Sequence, residues 1–163
     1  MRGNRASKTH CSALAAFNSN NFESLGNFGV TFDVRWDLVL KYQSGSLKLS
    51  SNLEQSISYL VVSPCLNLKT LKLCLDNSKA VIISGYGLGN LPTANKELMD
   101  TLKNAVDRGV IVCIKTQCGT GSVNDVYETG RMLTKIGCVL TADMTVECII
   151  AKLMYLLGKV SSF

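Results

Sequence analysis

From residue 57 onward, short unbroken apolar runs alternate with amphipathic stretches of helical length. The runs "ISYLVV", "AVIIS", "VIVCIK" and "CVL" read as strands. The stretches "NLKTLKLCLD", "TANKELMDTLKNAVDRG", "VNDVYETGRMLTKIG" and "TVECIIAKLMYLLGK" read as helices. In the second stretch Leu98, Thr101, Leu102, Ala105 and Val106 recur on one helical face. Thr93 stands where an N-cap is expected and Gly109 where a C-terminal glycine is expected. Strands with no polar alternation, separated by helices, predict a parallel sheet covered on both faces, an α/β domain with four strands. The region before it is different in kind. Residues 1–27 are rich in Asn, Ser and basic side chains, residues 30–40 alternate in a strand-like way, and residues 41–56 form a polar connector with a turn signal at Ser44-Gly45. Three segments follow: 1–32, which cannot make a core by itself, a linker over 33–56, and the α/β domain over 57–163.

Composition narrows the class. A chain of 163 residues with 47% hydrophobic and 18% charged residues has the size and balance of an ordinary globular domain. Seven cysteines are an odd number, and none forms a C-x-x-C pair, which points to reduced thiols in the cytoplasm, most of them core residues, and to no metal site. The net charge of +5 is scattered apart from Arg2, Arg5 and Lys8, with no aromatic interleaving, so nucleic acid is not an expected partner. The apolar run over 13–17 is too short for a leader, and no run approaches the roughly 18 apolar residues of a membrane helix.

Candidate chemistry collects in the loops after the strands, since the carboxyl edge of a parallel sheet is where ligands bind. The loop "SGYGLGN" fills two slots of a G-x-G-x-x-G fingerprint with Gly85 and Gly87 and places Asn90 in the third. With Leu91 and Pro92 delaying the helix, a small ligand facing the loop amides fits better than a dinucleotide. The loops "TQCGTG" and "TADMT" add hydroxyls, a side-chain amide and one carboxylate, a set suited to a free amino acid. The same residues also serve as turn formers, with Thr145 capping the last helix, and the sequence leaves both readings open. Cys118 follows a strand as a nucleophile can, yet the one histidine, His10, lies far away in sequence, so a packed or loop-lining thiol is the simpler reading.

The stretches "GYGLGNLPTANKELMDTLKNAVDRGVIVCIKTQC", "YETGRMLTKIG" and "TADMTVECIIAKLMYLLG" closely resemble the C-terminal half of cytosolic, type I L-asparaginases. "RGNRASKTHCSALAAFNSNNFESLG" is similar to the end of that family's N-terminal domain, and "VTFDVRWDLVL" to the connection between domains. The resemblance implies the asparaginase fold, with a flavodoxin-like parallel-sheet C-terminal domain behind a remnant of the N-terminal one. It also implies hydrolysis of L-asparagine to L-aspartate and ammonia, with no cofactor. The family's nucleophilic threonines sit in T-G-G-T-I and T-D-T type motifs, and neither occurs here. Of the catalytic set the resemblance carries over only Lys8, in "ASKTH", in a supporting role, so the chain alone is expected to be inactive. It further implies an asparagine site between neighbouring C-terminal domains at Ser84, Gly85, Tyr86, Thr116 and Cys118, and an approach of Asn90 to a neighbour's active site. Bacterial members carry arginine where Ser84 stands, and a serine cannot make the bidentate bond to a carboxylate, so weak asparagine binding is expected. The implied partners are L-asparagine or a similar small amino acid and a second copy of the chain. The alternative is a non-enzymatic amino-acid-binding or regulatory partner of a full-length asparaginase.

Overall fold

The structure is a computed structural model and describes residues 1–160. The last three residues of the expected 57–163 domain lie outside the described residues. Four strands, β5 (Ile57–Val61), β6 (Ala80–Gly85), β7 (Ile111–Thr116) and β8 (Val139–Leu140), form one parallel sheet in that order. Because strand order follows chain order, right-handed crossovers place the three connecting helices on one face. These are α1 (Leu68–Asp76), α2 (Lys96–Asp107) and α3 (Glu128–Lys135). The final helix, α4 (Val146–Val160), covers the other face.

This arrangement explains the unbroken apolar run of β6, every residue of which is buried. Alternate side chains go to opposite faces. Val81 and Ile83, with Val112 and Ile114 of β7, meet Leu71 and Leu75 of α1, Leu98, Leu102 and Ala105 of α2, and Leu133 of α3. Ala80, Ile82 and Cys113 meet Ile149 and Leu153 of α4. Burying a large aliphatic side chain contributes about 1.5–3 kcal/mol, so these two layers dominate the stability of the molecule.

The helices differ from expectation at two starts. α2 is capped by Asn95, whose side chain accepts from the Leu98 N–H at 3.1 Å, and Thr93 lies in the preceding turn, its N–H donating to the Leu91 carbonyl. The proline at 92 holds that turn, which defers the cap by two residues. Gly109 does follow the helix with φ +91°, as a C-terminal glycine should. α3 begins at Glu128 and not at Val123, because the Val123 N–H is taken by the Ala142 carbonyl and its side chain packs into the core. Thr145 caps α4, accepting at Oγ1 from the Cys148 N–H.

Before the domain lie two antiparallel ribbons, β1 (Ala6–Lys8) with β2 (Phe17–Ser19), and β3 (Gly26–Phe28) with β4 (Phe32–Val34). Of the alternating stretch 30–40 only Phe32–Val34 is strand. The chain then turns at Arg35, which is clasped by Glu23 and Asp37. Alternation yields a strand only where one face finds cover, and here Phe28, Phe32 and Trp36 are 89%, 68% and 76% exposed. The connector is strapped over α4, where Asn52 donates to the Gly158 carbonyl at 2.6 Å and the Glu54 N–H to the Met154 carbonyl at 3.0 Å. Lys79 meets the Glu54 carboxylate at 2.5 Å. That bond, together with the Ser56 N–H, holds the Glu54 carboxyl down at about 2.

Candidate functional site

At the carboxyl ends of β7 and β8 the sheet opens on a polar cleft of about 140 Å³. One wall is the domain itself: Lys115 through Gly119 at the end of β7 and just beyond it, and Asp143 through Glu147 at the start of α4. The other wall is the N-terminal segment, through Arg5, Ser7, Asn20 and Asn21. Of the residues singled out in the sequence, Thr116 and Cys118 line this cleft.

The seam between the walls is polar and specific. Arg5 Nε donates to Asp143 Oδ2 at 2.5 Å, Ser7 Oγ to Glu147 Oε1 at 2.9 Å, and the Thr145 N–H to the Asn4 carbonyl at 3.2 Å. Asn20 donates to the Gly119 carbonyl at 3.0 Å, and Asn21 pairs twice with the backbone of Gly121 at 2.9 Å. Partly exposed ties of this kind contribute on the order of 1 kcal/mol each or less. A three-residue ribbon has little stability of its own, so it is this set of ties that holds β1 and β2 to the domain.

Inside the cleft two cations, Arg5 and Lys115, face two carboxylates, Asp143 and Glu147. Lys115 is part-buried, and burial pushes its pKa below the ordinary lysine range against the opposing pull of Glu147 and Cys118. Its ammonium donates to the Thr116 carbonyl. A lining with both signs of charge suits a zwitterion. Cys113 and Cys138 are buried, which pushes their thiols up to about 11 and about 12, so they are inert packing groups.

The glycine loop lies outside the cleft and folds back on itself, with three of its N–H groups bonded within the loop. The Tyr86 N–H donates to the Asn90 carbonyl at 3.0 Å, and the N–H groups of Gly89 and Asn90 both donate to the Tyr86 carbonyl. Gly87 and Gly89 take φ values of +46° and +90°, as so tight a turn requires. Gly85 is where the loop folds back, since a Cβ there would stand 2.6 Å from the Gly89 backbone. Ser84 is 1% exposed, and its hydroxyl donates to the Thr116 carbonyl at 3.3 Å. Tyr86 lines a separate apolar groove with Pro64, Leu66 and Pro92, and Asn90 an open hollow with Leu88 and Tyr127, where its side chain accepts from Thr129 at 2.6 Å. The two groups of residues are joined by hydrogen bonds: the Gln117 N–H donates to the Gly85 carbonyl, and the Thr116 hydroxyl to the Gly87 carbonyl.

Lys8 ends β1 and is exposed, its ammonium 5.9 Å from the centroid of the Phe17 ring. Among the described residues it forms no ion pair. Asp143 is the carboxylate of the "TADMT" loop, whereas Arg5, Ser7, Lys115 and Glu147 were not singled out as site residues from the sequence. A lysine closing the apolar run "VIVCIK" is a signal that could have found one of them. No helix among the described residues is long and apolar enough to cross a membrane.

Comparison with known proteins bears on these features. Residues 57–163 match the model of the glutaminase/asparaginase C-terminal domain. The chain is 35% identical to L-asparaginase 1 of Escherichia coli K12 over 160 residues, covering 97% of this chain and 47% of that protein. It is 34% identical to a glutamyl-tRNA(Gln) amidotransferase polypeptide of Pyrococcus furiosus, covering 96% of this chain and 36% of that one. The crystal structure of L-asparaginase I from Vibrio cholerae superposes with a TM-score of 0.87 at 36% identity, over 96% of this chain and 48% of that chain. The chain therefore spans between about a third and a half of the length of these relatives.

Proposed function

The chain belongs to the glutaminase/asparaginase family, and from that membership we propose that it is part of an L-asparaginase, an amidohydrolase that converts L-asparagine and water to L-aspartate and ammonia. The observation that carries the proposal is that the likeness to L-asparaginases covers 96–97% of the chain and so is not confined to the C-terminal domain. It reaches the ribbon that holds Lys8, which has no carboxylate partner among the described residues.

Amide hydrolysis by a covalent route needs a nucleophile, a group to take its proton, and donors for the oxyanion, all within hydrogen-bond reach. This chain supplies Lys8 and the domain that holds its strand. The threonine motifs that the family resemblance implies do not occur in this sequence, so the chain alone is inactive. An asparagine held at Thr116 and Cys118 binds weakly, because Ser84 is buried and its hydroxyl is already used. We place the protein in the cytoplasm, in keeping with its seven free cysteines. The test is ammonia release from asparagine by the purified chain, alone and mixed with the first half of an L-asparaginase, with Lys8→Ala as control. No release alone, and release on mixing that Lys8→Ala abolishes, is the expected result. Turnover by the chain alone that survives Lys8→Ala would refute both the inactivity and the role of Lys8.

One feature favours a second reading, as a non-enzymatic partner of a full-length asparaginase or of another copy of itself. The aromatic face of the β3–β4 ribbon, with Phe28 and Phe32 rings 6.1 Å apart, has no cover among the described residues. Light scattering at micromolar concentration separates the cases, since a clean monomer mass for the chain alone counts against self-association.

A further inference from the structure

We propose that Asp143 and Glu147 are positioning residues: they grip the strand β1 from one side and so aim the Lys8 ammonium to the other. The inference rests on the reading of Lys8 as the lysine of the amide hydrolysis, and extends it to two carboxylates that line a different surface.

Three ties run between β1 with its leading residues and the start of α4. Thr145 holds Asn4, Asp143 holds Arg5, and Glu147 holds Ser7. Ser7 lies within β1 and turns its hydroxyl to Glu147 of α4, so Lys8, the next residue of the strand, leaves from the opposite face, while Arg5 ends the short helical turn Gly3–Arg5 that leads into β1. Lys8 stands there over the ring of Phe17, its register partner on β2. Loss of the grip frees a ribbon too short to hold its own orientation, and a slip by one residue would turn Lys8 toward α4.

The segment that presents Asp143 is itself held against the ordinary preference of the backbone. Ala142 has φ +51°, a left-handed conformation costly for any residue with a Cβ. It is enforced on both sides. The Thr141 hydroxyl is buried and donates to the Ile114 carbonyl at 2.9 Å, and the Ala142 carbonyl accepts from the Val123 N–H at 3.0 Å. The turn at Ala142 is what brings Asp143 out of line with β8 and onto Arg5. A structural ion pair does not need a strained backbone to deliver it, and this one comes with an aim.

The experiment reads Lys8 directly and needs no turnover. Lysines of the full chain are given 13C-dimethyl labels by reductive methylation, and the Lys8 signal is assigned by its absence in Lys8→Arg. In the unmodified chain the signal should be displaced from those of free surface lysines by the Phe17 ring. In the Asp143→Asn, Glu147→Gln double variant the displacement should be lost, while amides of β6 and β7 keep their hydrogen-exchange protection. Exchanging the charges, Arg5→Asp with Asp143→Arg, should bring the displacement back. A Lys8 signal that stays displaced in the double variant, or that is not displaced in the unmodified chain, would overturn the proposal. Loss of sheet protection in the double variant would do so too, since it would make the carboxylates part of the fold. Failure of asparagine hydrolysis would remove the role of Lys8 and leave this response of its signal intact, so the two readings fail separately.

Discussion

Gly85 ends β6 at the point where the glycine loop doubles back, and replacing it with alanine tests whether that closed loop is a structural necessity. A Cβ at this position stands 2.6 Å from the carbonyl carbon and oxygen of Gly89 and 2.8 Å from the Asn90 oxygen, all backbone atoms. They cannot swing aside as a side chain would, because Tyr86 and Asn90 are joined by bonds of 3.0 and 2.7 Å in opposite directions. Relief therefore requires opening one or both, at about 0.5–1.5 kcal/mol each, on top of an overpacking cost of about 1–3 kcal/mol. Alanine stiffens the unfolded chain and returns about 0.4–1 kcal/mol, which leaves a net loss of roughly 2–4 kcal/mol. For a chain of this size that lowers the melting temperature by on the order of 5–15 °C. Gly87 is the internal control. Its Cβ would meet nothing within 4 Å, and only its φ of +46° opposes a side chain, so Gly87→Ala should cost about 1–2 kcal/mol. Urea midpoints followed by far-ultraviolet circular dichroism measure both. Equal midpoints for Gly85→Ala and the unmodified chain, or a larger loss at Gly87, would show that the loop is not closed as described.

Three further changes have definite outcomes. The Glu54 carboxyl sits at about 2 in the folded chain against an ordinary value of 4.5, so its contribution is complete above pH 4.5 and is lost as pH falls toward 2; Glu54→Gln should flatten that part of the acid limb in a series of denaturation midpoints. Asn95→Ala removes the cap of α2 and should cost about 1 kcal/mol in a thermal melt, with Asn95→Asp retaining most of the stability. In Gly158→Ala the new Cβ would lie 2.1 Å from the Asn52 carbonyl oxygen, while the helix itself gains about 1 kcal/mol from losing a glycine. The strap should give way and α4 should stay, read as lost hydrogen-exchange protection confined to residues near 52–56, and an intact strap would contradict the contact.

The sheet could be read in the sequence because its pattern is the direct image of its burial. β6 is apolar at every position because both its faces are covered, and the helical spacing of Leu98, Leu102 and Ala105 is the stripe that covers one of them. The 30–40 stretch carries an equally clear alternation and forms three residues of strand, since the pattern states only that a face is available for burial. Cover has to come from elsewhere in space, and none of the described residues supplies it. The capping error was of another kind. Thr93 and Asn95 are both good caps, and the choice between them was made by the geometry of the turn after Pro92, which is set by bonds to the Leu91 and Pro92 carbonyls.

The candidate site was legible only where it is local. Thr116 ends a strand and Cys118 follows it, and that position is enough to put them on the carboxyl edge. The glycine loop is less legible, because glycines that permit a tight turn and glycines that expose amides to a ligand have the same spelling, and here the N–H groups of Tyr86, Gly89 and Asn90 go to carbonyls of the loop itself. The charged seam was the hardest part to see. Arg5 and Asp143 are 138 residues apart, and nothing near either of them in sequence distinguishes a paired charge from a solvated one. What separates them is the neighbourhood of the strand. Ser7, the inward position of β1, meets a carboxylate, and so does Arg5 in the turn just before it, where a ribbon docked on a hydrophobic core would carry apolar residues. That reversal marks β1 as a strand placed on the domain by hydrogen bonds and charge, outside the two apolar layers that hold the sheet.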